Sequence, residues 1–271
     1  MTLDQNASVF MEEHGEPMGL PLVILHPLAM DHRSMKAWLE PLFLTRKGFR
    51  RIYVDIPAHG KSELPEWANT TDDLLTLLLD ALHTLLQGRP FALLGMSFGG
   101  YLAQGLLGRL AAQVRGCCLL CPVTYSTVRN VPGRVVLSRD PDVTEGLDPD
   151  AAVAFETLFV HQTMKNREAF SKEIQPGRLL ANRPFLASAW RTEGYHFSEA
   201  PFTRDTLFPQ PALILTGRHD WIVGYEDQSA LSAQFSQGHF FVLEQAGHMI
   251  QIEQRALVQK HVADWLTRLQ D

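Results

Sequence analysis

The sequence contains one serine in a setting that favours nucleophilic catalysis. Residues 95–99 read Gly-Met-Ser-Phe-Gly, which matches the pattern G-x-S-x-G. The apolar residues 91–95 predict a strand just before it, and residues from about 98 to 111 predict a helix just after it. A serine on such a sharp turn projects its hydroxyl above the sheet edge, and the glycines leave room for neighbouring backbone. Ser97 is therefore the candidate nucleophile.

A serine hydroxyl needs a general base, and the base needs a third group that holds it. Asp220 lies in a turn just past a predicted strand at 212–217, and His248 lies just past another at 239–244. Both side chains therefore project from the carboxyl ends of strands, the edge where ligands bind in open α/β sheets. We predict a triad of Ser97, His248 and Asp220.

Each of these residues also has a purely structural alternative. Asp220 could simply form a turn, and His248 could simply begin a helix. Asp227 is a rival acid, but it falls within a helix predicted at about 226–236. His219 is a rival base, but its loop is poorly suited to that role.

Hydrolysis also needs N–H donors for the oxyanion that develops on the substrate. The backbone N–H of Phe98 is one candidate, because it lies at the start of the predicted helix. The N–H of Leu28 is the second candidate, in the loop that follows a strand predicted at 22–26. These two groups form the predicted oxyanion hole.

Short apolar runs alternate with helix-like stretches over most of the chain. The runs are apolar on both faces, as strands between two helical layers must be, and they lie at 22–26, 51–55, 91–95, 116–120, 212–217 and 239–244. Helices are predicted at about 71–86, 98–111, 226–236 and 250–269. Thr70 can cap the first helix, with Asp73 in the reciprocal position. The alternation predicts an α/β fold with a mostly parallel central sheet flanked by helices.

The alternation stops after Cys121. Residues 122–209, called the cap segment here, contain no clear parallel-type strand and look helical in parts, notably over 150–166. Because a stretch of this length is not a simple loop, we predict a core of residues 1–121 and 210–271 with an inserted helical cap. Aromatic residues of such a segment often form a small packed core. The substrate-binding candidates are Phe159, Trp190, Tyr195 and Met249.

Bulk properties exclude several function classes. The 271 residues carry a net charge of −6, so no basic surface for nucleic acid or an anionic membrane is expected. No apolar run approaches the ~18 residues of a membrane span, and the N-terminal residues lack the pattern of a secretory signal. Three cysteines predict no disulfide framework and fit a cytoplasmic protein. The expected partner is a small-molecule substrate, and the expected assembly is a monomer or homodimer.

Patterns that suggest nucleotide or metal binding lack the required spacing. Residues 60–62 read Gly-Lys-Ser, but Asp55 stands where a phosphate loop needs glycine. Cys118 and Cys121 lie at a predicted strand without a second pair for zinc. Three histidines lie in loops near the expected site, His26, His32 and His59. Their spacing does not match the H-E-x-x-H pattern of zinc proteases. We therefore expect neither a metal nor a cofactor.

Together these motifs resemble the α/β-hydrolase superfamily, in the cap-bearing group of epoxide hydrolases, haloperoxidase-like esterases and carbon–carbon bond hydrolases. The order serine, acid, histidine is that of the family. The resemblance covers nearly all of the chain outside the cap segment. The motifs that carry it lie at 26–28, 55–62, 95–100, 217–220 and 247–248. Two positions depart from the family pattern, since Ala58 and Pro27 each replace a glycine. Proline has no N–H, so the resemblance assigns the second oxyanion donor to Leu28.

The resemblance also separates this chain from some relatives. Haloalkane dehalogenases and epoxide hydrolases of this fold use an aspartate nucleophile, where this chain has Ser97. Carbon–carbon bond hydrolases use a serine, but they commonly carry a tryptophan after the histidine, where this chain has Met249. They also carry a cap arginine, for which Arg183 and Arg191 are candidates.

The expected function is hydrolysis of a small, moderately hydrophobic ester-like substrate through an acyl-enzyme, as in carboxylesterases. Three alternatives use the same fold. One is carbon–carbon bond hydrolysis of β-diketone-like substrates. Another is a ligand receptor with slow turnover. The third is cofactor-free oxygenation, in which the histidine–aspartate pair acts as base without the serine.

Overall fold

The computed structural model describes residues 8–125, 128–201 and 207–270, and a seven-stranded sheet forms its centre. The strands in chain order are β1 (Met11–Gly15), β2 (Leu20–Leu25), β3 (Phe49–Val54), β4 (Phe91–Met96), β5 (Val114–Leu120), β6 (Ser138–Arg139), β7 (His161–Gln162), β8 (Ala212–Gly217) and β9 (Gly238–Leu243). The central sheet has the order β1-β3-β2-β4-β5-β8-β9, and β6 pairs separately with β7. All neighbours in the central sheet are parallel except β1 and β3. This confirms the predicted α/β class.

The six strands predicted from apolar runs are all present, with ends that differ by no more than two residues. β4 and β8 are buried along their whole length, as expected for strands covered on both faces. The expectation is wrong for β9, in which Gly238 and His239 are exposed and Phe241 is 37% exposed. The reason is its place at the edge of the sheet, beside β8 alone.

Strand β1 has no counterpart among the strands predicted from the sequence. This strand pairs antiparallel with β3 at the opposite edge, with Met11 opposite Val54 and Gly15 opposite Arg50. Its residues Met-Glu-Glu-His-Gly are mostly half-buried or exposed. Because an edge strand needs no continuous apolar run, its sequence carried no clear strand signal.

Ten α-helical segments lie in the described ranges, and none of them is long and apolar enough to cross a bilayer. They are α1 (His32–Leu39), α2 (Thr71–Leu86), α3 (Phe98–Leu110), α4 (Pro149–Leu158), α5 (Met164–Ala169), α6 (Gln175–Arg178), α7 (Arg183–Leu186), α8 (Glu226–Ser232), α9 (Ile250–Glu253) and α10 (Arg255–Arg268). The predicted capping of α2 is confirmed. Thr70 Oγ1 accepts the N–H of Asp73, and Asp73 Oδ2 accepts the N–H of Thr70.

Two predicted helices end or break early. The helix expected at 226–236 ends at Ser232, because the following backbone bonds to Phe208 from both Gln234 and Ser236. The helix expected at 250–269 is divided at Gln254, whose φ of −126° and ψ of 41° are not helical. Tertiary contacts and local geometry therefore overrode a helical pattern.

The cap segment contains α4 to α7, a π-helical turn at Phe170–Ile174 and the short strands β6 and β7. Two predictions need correction here. The segment does contain a parallel strand pair, and residues 150–166 are not one helix, because α4 ends at Leu158 and α5 begins at Met164. Between them, the N–H groups of Val160 and His161 bond to a distant carboxylate at Glu253, which draws the chain out of helix.

Two buried imidazoles, of His26 and His59, lie side by side with ring centroids 5.2 Å apart. His26 Nε2 accepts the N–H of Ile56 at 2.9 Å, so its Nδ1–H donates to the Pro27 carbonyl at 2.7 Å. His59 Nδ1 lies 3.0 Å from the Pro57 carbonyl. Burial lowers the pKa of both rings, that of His59 to about 3. Both rings are therefore neutral in the folded protein at neutral pH.

Acidification should destabilise the fold through these rings. The unfolded chain binds a proton on His59 at its ordinary pKa of 6.5, but the folded chain does not until about pH 3. Stability is therefore intact above pH 6.5 and is lost as the pH falls towards 3. From pH 6.5 to about 4.5 the loss is roughly 2 to 3 kcal/mol for this group. Denaturant unfolding should show that the free energy of unfolding falls less in His59→Phe than in the wild type over this pH range. Equal losses in the two proteins would contradict this account.

Candidate active site

Ser97 occupies a strained turn between β4 and α3. Its backbone has φ 54° and ψ −118°, a conformation that costs on the order of 1–3 kcal/mol for a residue with a side chain. A Cβ on Gly95 would lie 2.5 Å from the Gly99 carbonyl oxygen, and a Cβ on Gly99 would overlap the Leu25 carbonyl. Only glycine fits at these two positions, so the local sequence is what permits the turn. The Ser97 N–H donates to the Leu120 carbonyl on β5 at 2.9 Å.

Three side chains form a hydrogen-bonded relay at this turn. His248 Nε2 lies 2.9 Å from Ser97 Oγ, and His248 Nδ1 lies 2.8 Å from Asp220 Oδ2. The other Asp220 oxygen accepts the N–H groups of Ile222 and Val223, at 3.0 and 3.1 Å. An ionised carboxylate only accepts, so Nδ1 carries the ring proton and Nε2 is free to accept the serine O–H. This arrangement can raise the nucleophilicity of the serine oxygen.

The structure brings together the three residues of the predicted triad from the ends of β4, β8 and β9. The Asp220 carboxylate is fully buried, and Ser97 and His248 are 6% and 4% exposed. The rival residues have other contacts. Asp227 lies on α8, where its carboxylate accepts the N–H of Asn130, and the backbone N–H of His219 donates to the Ala246 carbonyl.

The loop after β2 has a fixed orientation. The Pro27 carbonyl accepts the Nδ1–H of His26 at 2.7 Å and the N–H of Met30 at 3.3 Å. These bonds close a tight turn in which Ala29 has a φ of 58°. Because the C=O and N–H of a trans peptide point in opposite directions, the bonds that hold the Pro27 carbonyl also fix the N–H of Leu28.

The two predicted oxyanion donors are free to bind a ligand. The N–H of Phe98 is the first of α3 and has no acceptor within that helix. Across the parts of the chain that the structure describes, neither Phe98 N–H nor Leu28 N–H donates to a protein acceptor. A free donor at the start of α3, directly after the nucleophile, suits an anionic oxygen.

The four predicted substrate-binding side chains are all buried, but in different surroundings. The rings of Trp190 and Tyr195 lie 5.6 and 5.5 Å from the ring of Phe98, beside the nucleophile. Phe159 instead packs in an aromatic cluster of the cap segment, 4.9 Å from Phe155. Met249 directly follows the base and is fully buried. Their roles towards a substrate stay predictions.

Sequence reasoning missed two residues at the site. Cys121 follows β5 directly, and its sulfur lies within 4.8 Å of ligand atoms of Asp220 and His248. Its position at the carboxyl end of a buried strand was the signal that could have found it. The carboxylate of Glu253 accepts the N–H of Gly247, next to the base. Nothing in the local sequence distinguished Glu253 from other polar residues of a helix.

Two groups of described residues have the side-chain types that could hold a metal ion. One is Cys121 with the acid and base of the relay. The other is Asp31, His32 and Asp55. His32 Nδ1 lies 2.8 Å from Asp55 Oδ1, and His32 Nε2 lies 3.1 Å from Glu12 Oε2, outside that group. Burial is the largest single effect and opposes a charge on this ring, but the hydrogen bond to Asp55 and the charges of the surrounding carboxylates together outweigh it and raise the pKa of His32. Both ring nitrogens of His32 therefore donate to carboxylates, in an imidazolium–carboxylate network.

The comparisons with known proteins agree with the fold. Residues 21–254 match the family model of the alpha/beta hydrolase fold. An alpha/beta superfamily hydrolase from Oenococcus oeni has a TM-score of 0.88 at 27% identity, covering 99% of this chain and 98% of its own. The 2-hydroxymuconate semialdehyde hydrolase of a Pseudomonas species is 25% identical, covering 93% of this chain and 89% of its own. A thermophilic esterase from Thermogutta terrifontis has a TM-score of 0.71 at 23% identity, covering 96% and 93%.

The relay should make Ser97 reactive towards a fluorophosphonate. Intact-mass and peptide mapping should find one adduct, on Ser97, because His248 Nε2 is placed to accept the hydroxyl proton. The His248→Ala variant should lose the adduct, whereas His219→Ala should keep it, because His219 lies outside the relay. Labelling that is unchanged in His248→Ala would show that the relay does not activate the serine.

Proposed function

The chain belongs to the α/β-hydrolase fold family, and from this premise we propose that it is a serine hydrolase that cleaves an ester-like carbonyl substrate through an acyl-enzyme. The observation that carries the proposal is the continuous relay from Asp220 through His248 to Ser97, with distances of 2.8 and 2.9 Å. Its three members come from three different strand ends and are all buried. A relay of this kind is the arrangement that a weakly nucleophilic hydroxyl needs.

In the first step, Ser97 Oγ attacks the carbonyl carbon while His248 Nε2 takes the hydroxyl proton. Asp220 keeps the imidazole in the required tautomer and stabilises the imidazolium that forms. The N–H groups of Leu28 and Phe98 hold the oxyanion, each worth roughly 2.7–4 kcal/mol of barrier. The imidazolium then gives its proton to the leaving alcohol, and the acyl group stays on the serine.

In the second step, water attacks the acyl-enzyme. His248 Nε2 takes a proton from the water, and the same two N–H groups hold the second oxyanion. When the tetrahedral intermediate collapses, the imidazolium returns the proton to Ser97 Oγ and the carboxylic acid leaves. The residues of the site supply every proton transfer in this sequence.

A small, moderately hydrophobic acyl or alkoxy group suits the surroundings of the nucleophile. Trp190 and Tyr195 lie against the ring of Phe98, and their own rings are 5.2 Å apart. Aromatic surface of this kind favours apolar substrate groups. Esters of short aliphatic acids are therefore the first substrates to test.

Hydrolysis of a carbon–carbon bond in a β-diketone-like compound is the second candidate. The similarity to the 2-hydroxymuconate semialdehyde hydrolase favours it. Against it, the chain has Met249 after the base, where the sequence analysis expects tryptophan in that group. Turnover of a vinylogous β-diketone together with failure on short-chain esters would replace the first proposal with this one.

The nucleophile assignment predicts the effect of Ser97→Ala. Turnover of p-nitrophenyl acetate should fall by at least roughly 10³-fold in kcat/KM, because the remaining donors and binding groups cannot form an acyl-enzyme. The midpoint temperature of thermal unfolding should change by only a few degrees. Ser232→Ala is the matched control, since its hydroxyl donates to the Ser229 carbonyl on α8. Wild-type turnover in Ser97→Ala would contradict the assignment.

A further inference from the structure

Glu253 at the end of α9 binds two separate parts of the chain with one carboxylate. Its Oε1 accepts the N–H groups of Val160 and His161 in the cap segment, at 2.8 and 2.9 Å. Its Oε2 accepts the N–H of Gly247 at 2.7 Å. Gly247 directly precedes the base, so residues 245–248 are called the base loop here. Each oxygen therefore binds a different part of the chain.

The part of the cap that Glu253 holds also contacts the loops on both sides of the relay. Trp221, next to the acid, donates its Nε1–H to the Thr157 carbonyl at 3.1 Å. His161 Nε2 lies 3.2 Å from the Gln245 carbonyl of the base loop. A Cβ on Gly247 would lie 2.7 Å from Val160, so the two chains pack closely. The cap stretch 157–161 is thus docked against the loops that carry the acid and the base.

We propose that Glu253 is a positioning residue for His248, whose ionised carboxylate holds the base loop and the cap stretch 157–161 in one fixed arrangement. The inference rests on the proposed hydrolase function and extends it. Glu253 acts through the Gly247 N–H and does not touch the substrate. Because Gly247 and His248 are neighbours, a shift of the backbone at Gly247 moves the imidazole of His248 relative to Ser97 Oγ.

The arrangement requires the ionised form of Glu253. An ionised carboxylate accepts at both oxygens, whereas a protonated one presents an O–H to one of the N–H donors. Burial and the nearby Asp220 charge, opposed by the three N–H donors, raise the pKa of Glu253 to about 7. Across the described residues it forms no ion pair, and Arg255 bonds to Glu173 instead. The titratable groups around it are Asp220, Cys121, His161 and His248.

Replacing Glu253 with glutamine tests the proposal, because an amide has only one acceptor oxygen. That oxygen should stay with the two N–H groups of Val160 and His161, which leaves the NH₂ facing the N–H of Gly247. We expect kcat on p-nitrophenyl acetate to fall roughly 10- to 100-fold from misplacement of the base, with KM little changed. Amide hydrogen exchange at Gly247 should become faster, and this readout does not depend on activity.

The pH profile separates positioning from a general structural role. In the wild type, the fall in kcat/KM on acidification should include an extra step of roughly 10- to 100-fold near pH 7, where Glu253 becomes protonated and no longer holds the base loop. In Glu253→Gln this extra step should be absent, because an amide does not titrate. Glu173→Gln is the matched control, because this carboxylate bonds to Arg255 and not to the base loop. It should keep the extra step of the wild-type profile and the wild-type kcat.

Each outcome decides the proposal. A wild-type profile without the extra step near pH 7, or a Glu253→Gln protein with wild-type kcat and Gly247 exchange, would overturn it, and the wild-type profile decides even if the variant does not fold. In either case, an inactive Ser97→Ala leaves the hydrolase proposal standing. If the wild type turns over no ester and Ser97 takes no fluorophosphonate, the hydrolase proposal fails and the role of Glu253 falls with it.

Discussion

The backbone of Ser97, held at a φ of 54°, is the feature on which the site depends. This conformation costs on the order of 1–3 kcal/mol, which the burial of β4 and α3 on both sides must offset. It requires glycine at 95 and 99, because the chain at Leu25 and the first turn of α3 approach too closely for a Cβ. The same turn leaves the N–H of Phe98 at an open helix end and points the hydroxyl at His248.

The parallel sheet brings Asp220 and His248 to Ser97. Strands β4, β8 and β9 end at one edge, so residues from distant parts of the sequence meet there without a long loop. The acid is fixed before it meets the base, because one Asp220 oxygen already accepts two backbone N–H groups. In the proposed account, Glu253 adds a comparable fixation for the base loop and ties it to the cap segment.

The elements around the site could largely be predicted from sequence, because their signals are local. The buried strands β4 and β8 are continuous apolar runs, and α2 starts at a capping box that four residues encode. What could not be predicted depends on partners far away in the chain. β1 is recognisable only beside β3, and the break between α4 and α5 follows from a carboxylate at Glu253. The cap aromatics look alike in sequence, although only some of them pack against Phe98.

In the proposed mechanism, Ser97 carries the acyl group between two half-reactions. Rapid quenching of the enzyme with p-nitrophenyl acetate, followed by intact-mass and peptide analysis, tests this most directly. The account predicts a transient species heavier by one acetyl group on Ser97, formed at the rate of the initial p-nitrophenol burst and decaying at the steady-state turnover rate. Product release with no acetylated Ser97 at any time point, under conditions that trap a control acyl-enzyme, would contradict it.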